Sequence, residues 1–207
     1  MSDVHARKRE LRRGILLARS RLTEDDLRAT SGALARHALE LPELARARTV
    51  AAYVSIGREP GTGPLLDALR AAGVRVLLPV LLPDNDLDWG AYEGAHTLRS
   101  AGRGLREPAG PPLGPDAVAG ADAVLLPGLA VDGHGTRLGR GGGSYDRALA
   151  RLAAAGARPA RVVLLHEGEL LPEVPAEPHD LPVTAAITPT GVHRFPAVGG
   201  RRRPGAP

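Results

Sequence analysis

The chain predicts an α/β fold, a mostly parallel sheet with helices on both faces in a Rossmann-like three-layer arrangement, entered through two N-terminal helices. Three observations predict it. Short β-rich runs at Thr49–Val54, Val74–Leu78, Ala123–Leu126, Arg161–Leu165 and Thr184–Ile187 read apolar along their length, as strands covered on both faces do. Helical stretches such as Pro64–Ala72 and Ser144–Ala155 separate most of them, the alternation that builds parallel sheets. Glycine and proline stand at the junctions: Pro64 suits a first helical position, and Gly73 and Gly156 fall where a left-handed stop residue belongs.

Residues 3–19 read as a basic helix with Leu11, Ile15 and Leu16 on one face. Thr23, followed by Glu24, Asp25 and Asp26, reads as an N-cap and a carboxylate-rich first turn. It opens a second helix that carries Leu27, Leu34 and Ala38 as far as Glu40. The Gly- and Pro-rich stretch Leu98–Pro115 is expected to cross the surface as a long loop, and there is no internal repeat. The 207 residues suit one domain with a real core, expected over residues 1–198. Residues 199–207 form a basic Gly/Pro-rich tail expected to be disordered.

Apolar residues make up 43% of the chain and aromatics only 2%, so Leu, Val, Ala and Ile must build the core. The absence of cysteine excludes a disulfide scaffold, a thiolate metal site and a cysteine nucleophile. No apolar run reaches membrane-spanning length and the N-terminus carries no signal-peptide core, so a cytoplasmic protein with no membrane partner is expected. The net charge of +4 and the pI near 10.2 invite a nucleic-acid reading. Two features count against it: rings for base stacking are nearly absent, and acidic residues are interspersed with the basic ones. No nucleic-acid partner is expected, and a monomer is the default state.

Ligands of such sheets bind outside the carboxyl ends of the strands. The segments that follow the strands here carry Ser55 and Glu59, then Pro79, then the loop from Pro127 to Gly143, then His166 and Glu167. The third segment is the most informative. An apolar strand leads into a glycine-rich stretch holding Arg137 and Arg140, and a helix begins near Ser144. Glycines let backbone N–H groups approach an anion, arginines neutralise it, and a helix N-terminus adds its positive end, a design suited to a polyphosphate. The lysine of a standard nucleotide loop is missing, and the glycine spacing is not that of a dinucleotide loop.

Lys8 is the only lysine in the chain. Among so many arginines, a lone compact charge suits a phosphate contact as well as it suits a solvated surface. As a surface residue it would contribute little to folding. Asp146 lies in the first turn of a helix, where the dipole favours a carboxylate and where Mg²⁺ beside phosphates is also held. Three weaker signals fail. Asp84–Asp88 resembles a calcium loop, but Trp89 occupies the glycine position; His166-Glu167 lacks the second histidine of a zinc helix; and there is no Gly-x-Ser-x-Gly.

Arg137-Leu-Gly-Arg-Gly-Gly-Gly-Ser-Tyr-Asp146, preceded by Pro127-Gly128, resembles the signature of the 5-formyltetrahydrofolate cyclo-ligase family. Lys8-Arg-Glu-Leu-Arg12, Tyr53-Val-Ser-Ile-Gly-Arg-Glu59, Arg106-Glu-Pro108, Pro178-His-Asp180 and Ala186-Ile-Thr188 follow the family in order. The resemblance implies conversion of 5-formyltetrahydrofolate to 5,10-methenyltetrahydrofolate with ATP and Mg²⁺. It implies ATP contacts at Lys8, Arg9, Glu10, Leu11, Arg12, Arg137, Leu138, Gly139, Arg140, Gly141, Gly142, Gly143, Ser144 and Tyr145, with Arg140 and Lys8 serving the chemistry. Folate contacts fall on Val54, Glu59 and residues 140–144, and metal ligands on Asp146 and Asp180. On the residues alone, Glu59 would pass for a loop carboxylate, Val54 for strand core and Tyr145 for helix packing.

The chain departs from many family members at Ser144, where a tyrosine is common, and near Gly168, where a glutamine is. Ser144 is expected to cap its helix and to weaken the folate site. Two other readings remain: a phosphoryl-transfer enzyme with a non-folate substrate, which would bind ATP and ignore the folate, and a polyanion- or RNA-binding protein, which would be salt-sensitive and indifferent to Mg-ATP.

Overall fold

The computed structural model describes residues 3–177 and 180–196. Residues 199–207, expected to form the tail, and Pro178 and His179 lie outside that range. The chain opens with helices α1 (Asp3–Arg19), α2 (Glu24–Glu40) and α3 (Pro42–Ala45). Thr23 caps α2 as expected: its side chain accepts from the Asp26 N–H while the Asp26 carboxylate accepts from the Thr23 N–H. Such a reciprocal cap stabilises a helix by about 1 kcal/mol.

Strand β1 (Thr49–Ala51) follows, then α4 (Gly63–Ala71), β2 (Arg75–Leu81) and β3 (Leu87–Ala91). The β4 (Leu98–Ser100) and β5 (Arg106–Pro108) hairpin precedes β6 (Ala123–Pro127), β7 (Ala130–Asp132), β8 (Arg137–Leu138) and α5 (Ser144–Ala154). The chain then forms β9 (Ala160–Leu164), β10 (Leu170–Leu171), β11 (Ala185–Thr188) and β12 (Gly191–Arg194). Gly73 and Gly156 take φ of 79° and 67°, the left-handed stops anticipated for α4 and α5.

The main sheet has the order β12-β11-β9-β6-β1-β2-β3. Its five central strands run parallel, and β3 and β12 close the edges antiparallel. Cores lie on both faces: Leu34, Leu66 and Leu69 pack on one, and Trp89, Leu149 and Leu152 on the other. The chain winds outward from β1 in both directions, with β2 on one side and β6 on the other. The crevice of such a doubly wound sheet therefore opens between the carboxyl ends of β1 and β6.

Three features go beyond the sequence reading. Leu98–Pro115 is not a plain loop; it contains the β4–β5 hairpin, and Gly90 packs so tightly on it that a Cβ there would meet Pro108 Cγ at 2.6 Å. Asp84–Asp88 belongs to the β2–β3 hairpin, with Asn85 at φ 64° and Asp86 paired to Arg151 at 2.8 Å. A separate small sheet, β10-β7-β8, carries Arg137 and Leu138 on a strand where a loop was expected. Its turn is tied by Asp132, whose carboxylate accepts from the N–H groups of His134, Thr136 and Val174.

Candidate active site

The crevice between β1 and β6 is a cavity of about 350 Å³. Of the residues singled out in the sequence, Val54, Glu59, Arg137, Gly139, Arg140, Gly141, Gly142, Gly143, Ser144, Tyr145 and Asp146 line it together. Tyr53, Ile56, Pro79, Leu81, Leu87, Leu105 and Glu107 complete much of the wall. Several of these read as ordinary strand or loop residues, so only the fold brings them here. The Asp132-Gly-His-Gly135 turn signal could have revealed the β7–β8 hairpin, because Asp-Gly pairs mark hairpin turns.

The glycine segment forms the lip of the cavity. Gly141 and Gly143 take φ of 94° and 75°, conformations that side chains rarely adopt. Gly143, not Ser144, occupies the N-cap of α5, and no side chain caps that end. The expectation of a Ser144 cap is thus corrected: Ser144 is the first helical residue. Among the described residues, no side chain caps the first-turn N–H groups of α5, the arrangement that receives anions.

Arg137 works as a strut. Its Nη1 donates to the Pro127 carbonyl at 3.0 Å and its Nη2 to Asp146 Oδ1 at 2.6 Å, so it ties the end of β6 to the first turn of α5. Leu138 is buried against Leu129 and Val174, so its side chain packs in the core and its carbonyl accepts from Leu129 N at 2.7 Å. Arg140 reaches across the lip, its Nε 3.0 Å from Glu59 Oε1. Glu59 is 8% exposed, and its second oxygen accepts from Ile56 N at 2.9 Å. Tyr145 packs against both core clusters, so its lining role and its packing role coexist; burial pushes its hydroxyl pKa up.

Helix α1 leans on this lip without lining the cavity. Arg12 Nε donates to the Gly139 carbonyl at 2.8 Å, and Leu11 packs with Ile15 on the small sheet. Arg9 and Glu10 lie on the exposed side. Lys8 corrects the picture of a surface residue. It is 6% exposed, and its ammonium donates to Glu177 Oε2 and Asp180 Oδ2, both at 2.8 Å. Burial opposes its charge, but the hydrogen bonds to Asp180 and Glu177 outweigh that and raise its pKa.

The far end of α1 is held by a buried ion pair. Arg19 grips Glu169 through Nε and Nη2 at 2.7 and 2.8 Å and also donates to the Gly128 carbonyl at 2.7 Å. Glu169 accepts from the His166 N–H, and His166 Nε2 donates to the Arg58 carbonyl at 3.0 Å. His166 is thereby a buried neutral brace; burial draws its pKa below the usual imidazole value.

A family model matches this chain over residues 4–189 and describes the 5-formyltetrahydrofolate cyclo-ligase family. The chain belongs to that family. The cyclo-ligase of Mycolicibacterium smegmatis is 49% identical over 148 residues, covering 69% of this chain and 74% of the relative. The Escherichia coli cyclo-ligase is 32% identical over 176 residues, 84% of this chain and 96% of the relative. The solved structure of Aquifex aeolicus 5,10-methenyltetrahydrofolate synthetase matches with a TM-score of 0.76 at 26% identity, over 96% of this chain and 99% of that one. The cyclo-ligase family match thus spans both α1, which carries Lys8, and the glycine lip. Among the described residues of this cyclo-ligase family member, no helix is long and apolar enough to cross a membrane.

Proposed function

We propose that the protein converts 5-formyltetrahydrofolate to 5,10-methenyltetrahydrofolate, using ATP and Mg²⁺ and releasing ADP and phosphate. The observation that carries this reading is the shape of the cavity. One end is an anion-receptive lip with an uncapped helix start, the other an apolar wall with the buried carboxylate Glu59, and Arg140 joins the two.

A formyl amide oxygen leaves poorly, so it must be converted to a better leaving group. The formyl oxygen attacks the γ-phosphorus of ATP and the bond to ADP breaks. N10 of the folate then attacks the activated carbon, and phosphate departs with the former formyl oxygen. Transfer of this kind asks for positioning and positive charge, with no protein nucleophile. In this reading the residue 139–143 N–H groups and Arg140 hold the phosphates, with Lys8 and Arg12 on α1 beside them. Arg9, Glu10, Leu11, Arg137, Leu138, Ser144 and Tyr145 shape the ATP side, and Val54, Glu59 and residues 140–144 the folate side.

Asp146 and Asp180 would hold Mg²⁺. Both are oxygen donors of the kind that ion takes, and each already holds a cation, Arg137 and Lys8 respectively. Bound there, the metal would neutralise phosphate charge. A small-molecule substrate, a cytoplasmic setting and no nucleic-acid or membrane partner belong to the same reading.

The deciding experiment follows the near-UV absorbance of the methenyl product beside ADP release. Product and ADP should appear one for one, and only with a divalent metal. ATP hydrolysis indifferent to the folate would sink the proposal.

A further inference from the structure

Tyr53 stands two residues beyond β1, at the crevice between β1 and β6, and lines the cavity. It is 4% exposed, and its hydroxyl is buried with no hydrogen-bond partner among the described residues. Such a group is costly when left unsatisfied, and a phenylalanine would fill the same space without that cost. The hydroxyl sits in the electrostatic field of two cavity residues, Glu59 and Tyr145, and of the Arg19–Glu169 pair behind the wall. Arg19 and Glu169 are already committed to each other and to Gly128 and His166, so neither supplies the missing partner, and the remaining neighbour of the ring is the cavity it lines.

The chemistry of a pterin ring supplies the missing partner. Its polar edge presents two adjacent N–H donors followed by a carbonyl oxygen. A carboxylate matches the donors, and the carbonyl then needs a protein donor next to that carboxylate. We propose that the Tyr53 hydroxyl, beside Glu59, donates to the pterin carbonyl and is a specificity-determining residue for the folate. Burial, and the Glu59 charge after it, push the Tyr53 pKa well above its ordinary value, so the phenol keeps the proton it must donate. The cost carried by the unliganded protein is recovered when the folate arrives.

This inference rests on the folate reading above, and Tyr53→Phe tests it separately. Binding of 5-formyltetrahydrofolate by calorimetry and its KM in turnover are measured for both proteins, with the KM for ATP and the melting temperature alongside. The variant should bind the folate about three- to tenfold more weakly, the loss expected for one neutral hydrogen bond. Its KM for ATP should be unchanged and its melting temperature equal or higher. A variant that binds the folate as tightly as the parent protein overturns the role of Tyr53 alone. A parent protein that does not bind the folate at all overturns the folate reading and this inference together.

Discussion

Lys8 and Asp180 meet at 2.8 Å, the one lysine of the chain held against a carboxylate 172 residues away. Glu177 joins them at the same distance. Two residues marked for different tasks, a phosphate contact and a metal ligand, thus neutralise each other at α1, the helix whose Arg12 reaches the glycine lip. ATP with its metal would bring both a negative partner for Lys8 and a positive one for Asp180.

Lys8→Ala should therefore do two things. The KM for ATP should rise, with kcat falling if the contact tightens during transfer. Contrary to the expectation for a surface lysine, stability should also fall, by about 1–3 kcal/mol, because two carboxylates lose their shared donor. Thermal melts and ATP saturation curves check both, and an unchanged ATP dependence would return Lys8 to a purely structural role.

Asp146→Asn keeps the size of the side chain and removes its charge. Activity should drop and recover partly as Mg²⁺ is raised. The Arg137 side chain is buried while Asp146 is half-exposed; asparagine keeps an oxygen that can accept from Arg137, so stability should fall only modestly. A loss of stability with no response to Mg²⁺ would make it a partner of Arg137 and the helix dipole only.

Ser144→Tyr adds a ring to the cavity rim. If position 144 faces the folate, its KM should fall by the equivalent of about 0.5–1.5 kcal/mol while the KM for ATP stays level. Because Gly143 holds the N-cap, melting temperature should not show the loss that removing a serine cap would bring. A folded variant whose folate KM stays level or rises would remove Ser144 from the folate site.

His166 makes a prediction about pH. Its pKa is lowered by burial from an ordinary 6.5, so the unfolded chain binds the proton more tightly than the folded one. Stability is present above pH 6.5 and is lost as pH falls below it. His166→Gln, which can still donate to the Arg58 carbonyl, should flatten that part of the melting-temperature profile. A profile as steep as the parent's would assign the loss to other groups.

What the sequence determined by itself is what short-range physics governs. Helices α1 and α2, the parallel strands, the stops at Gly73 and Gly156 and the glycine lip follow from periodicity, caps and backbone freedom, each readable within a few residues. Only the tertiary structure decided that Lys8 is buried, that Arg19 and Glu169 join across 150 residues, that β7, β8 and β10 form their own sheet, and that Tyr53 lines the cavity with its hydroxyl unpartnered among the described residues. Strands as short as Arg137–Leu138 and Leu170–Leu171 have too few residues to show a period. The ion pairs depend on which chain ends the sheet order brings together, and no local pattern specifies that. A tyrosine beside β1 reads as core in any window of sequence. It is core here as well, yet it also lines a cavity, because the winding reverses between β1 and β6 and places the end of β1 at the crevice.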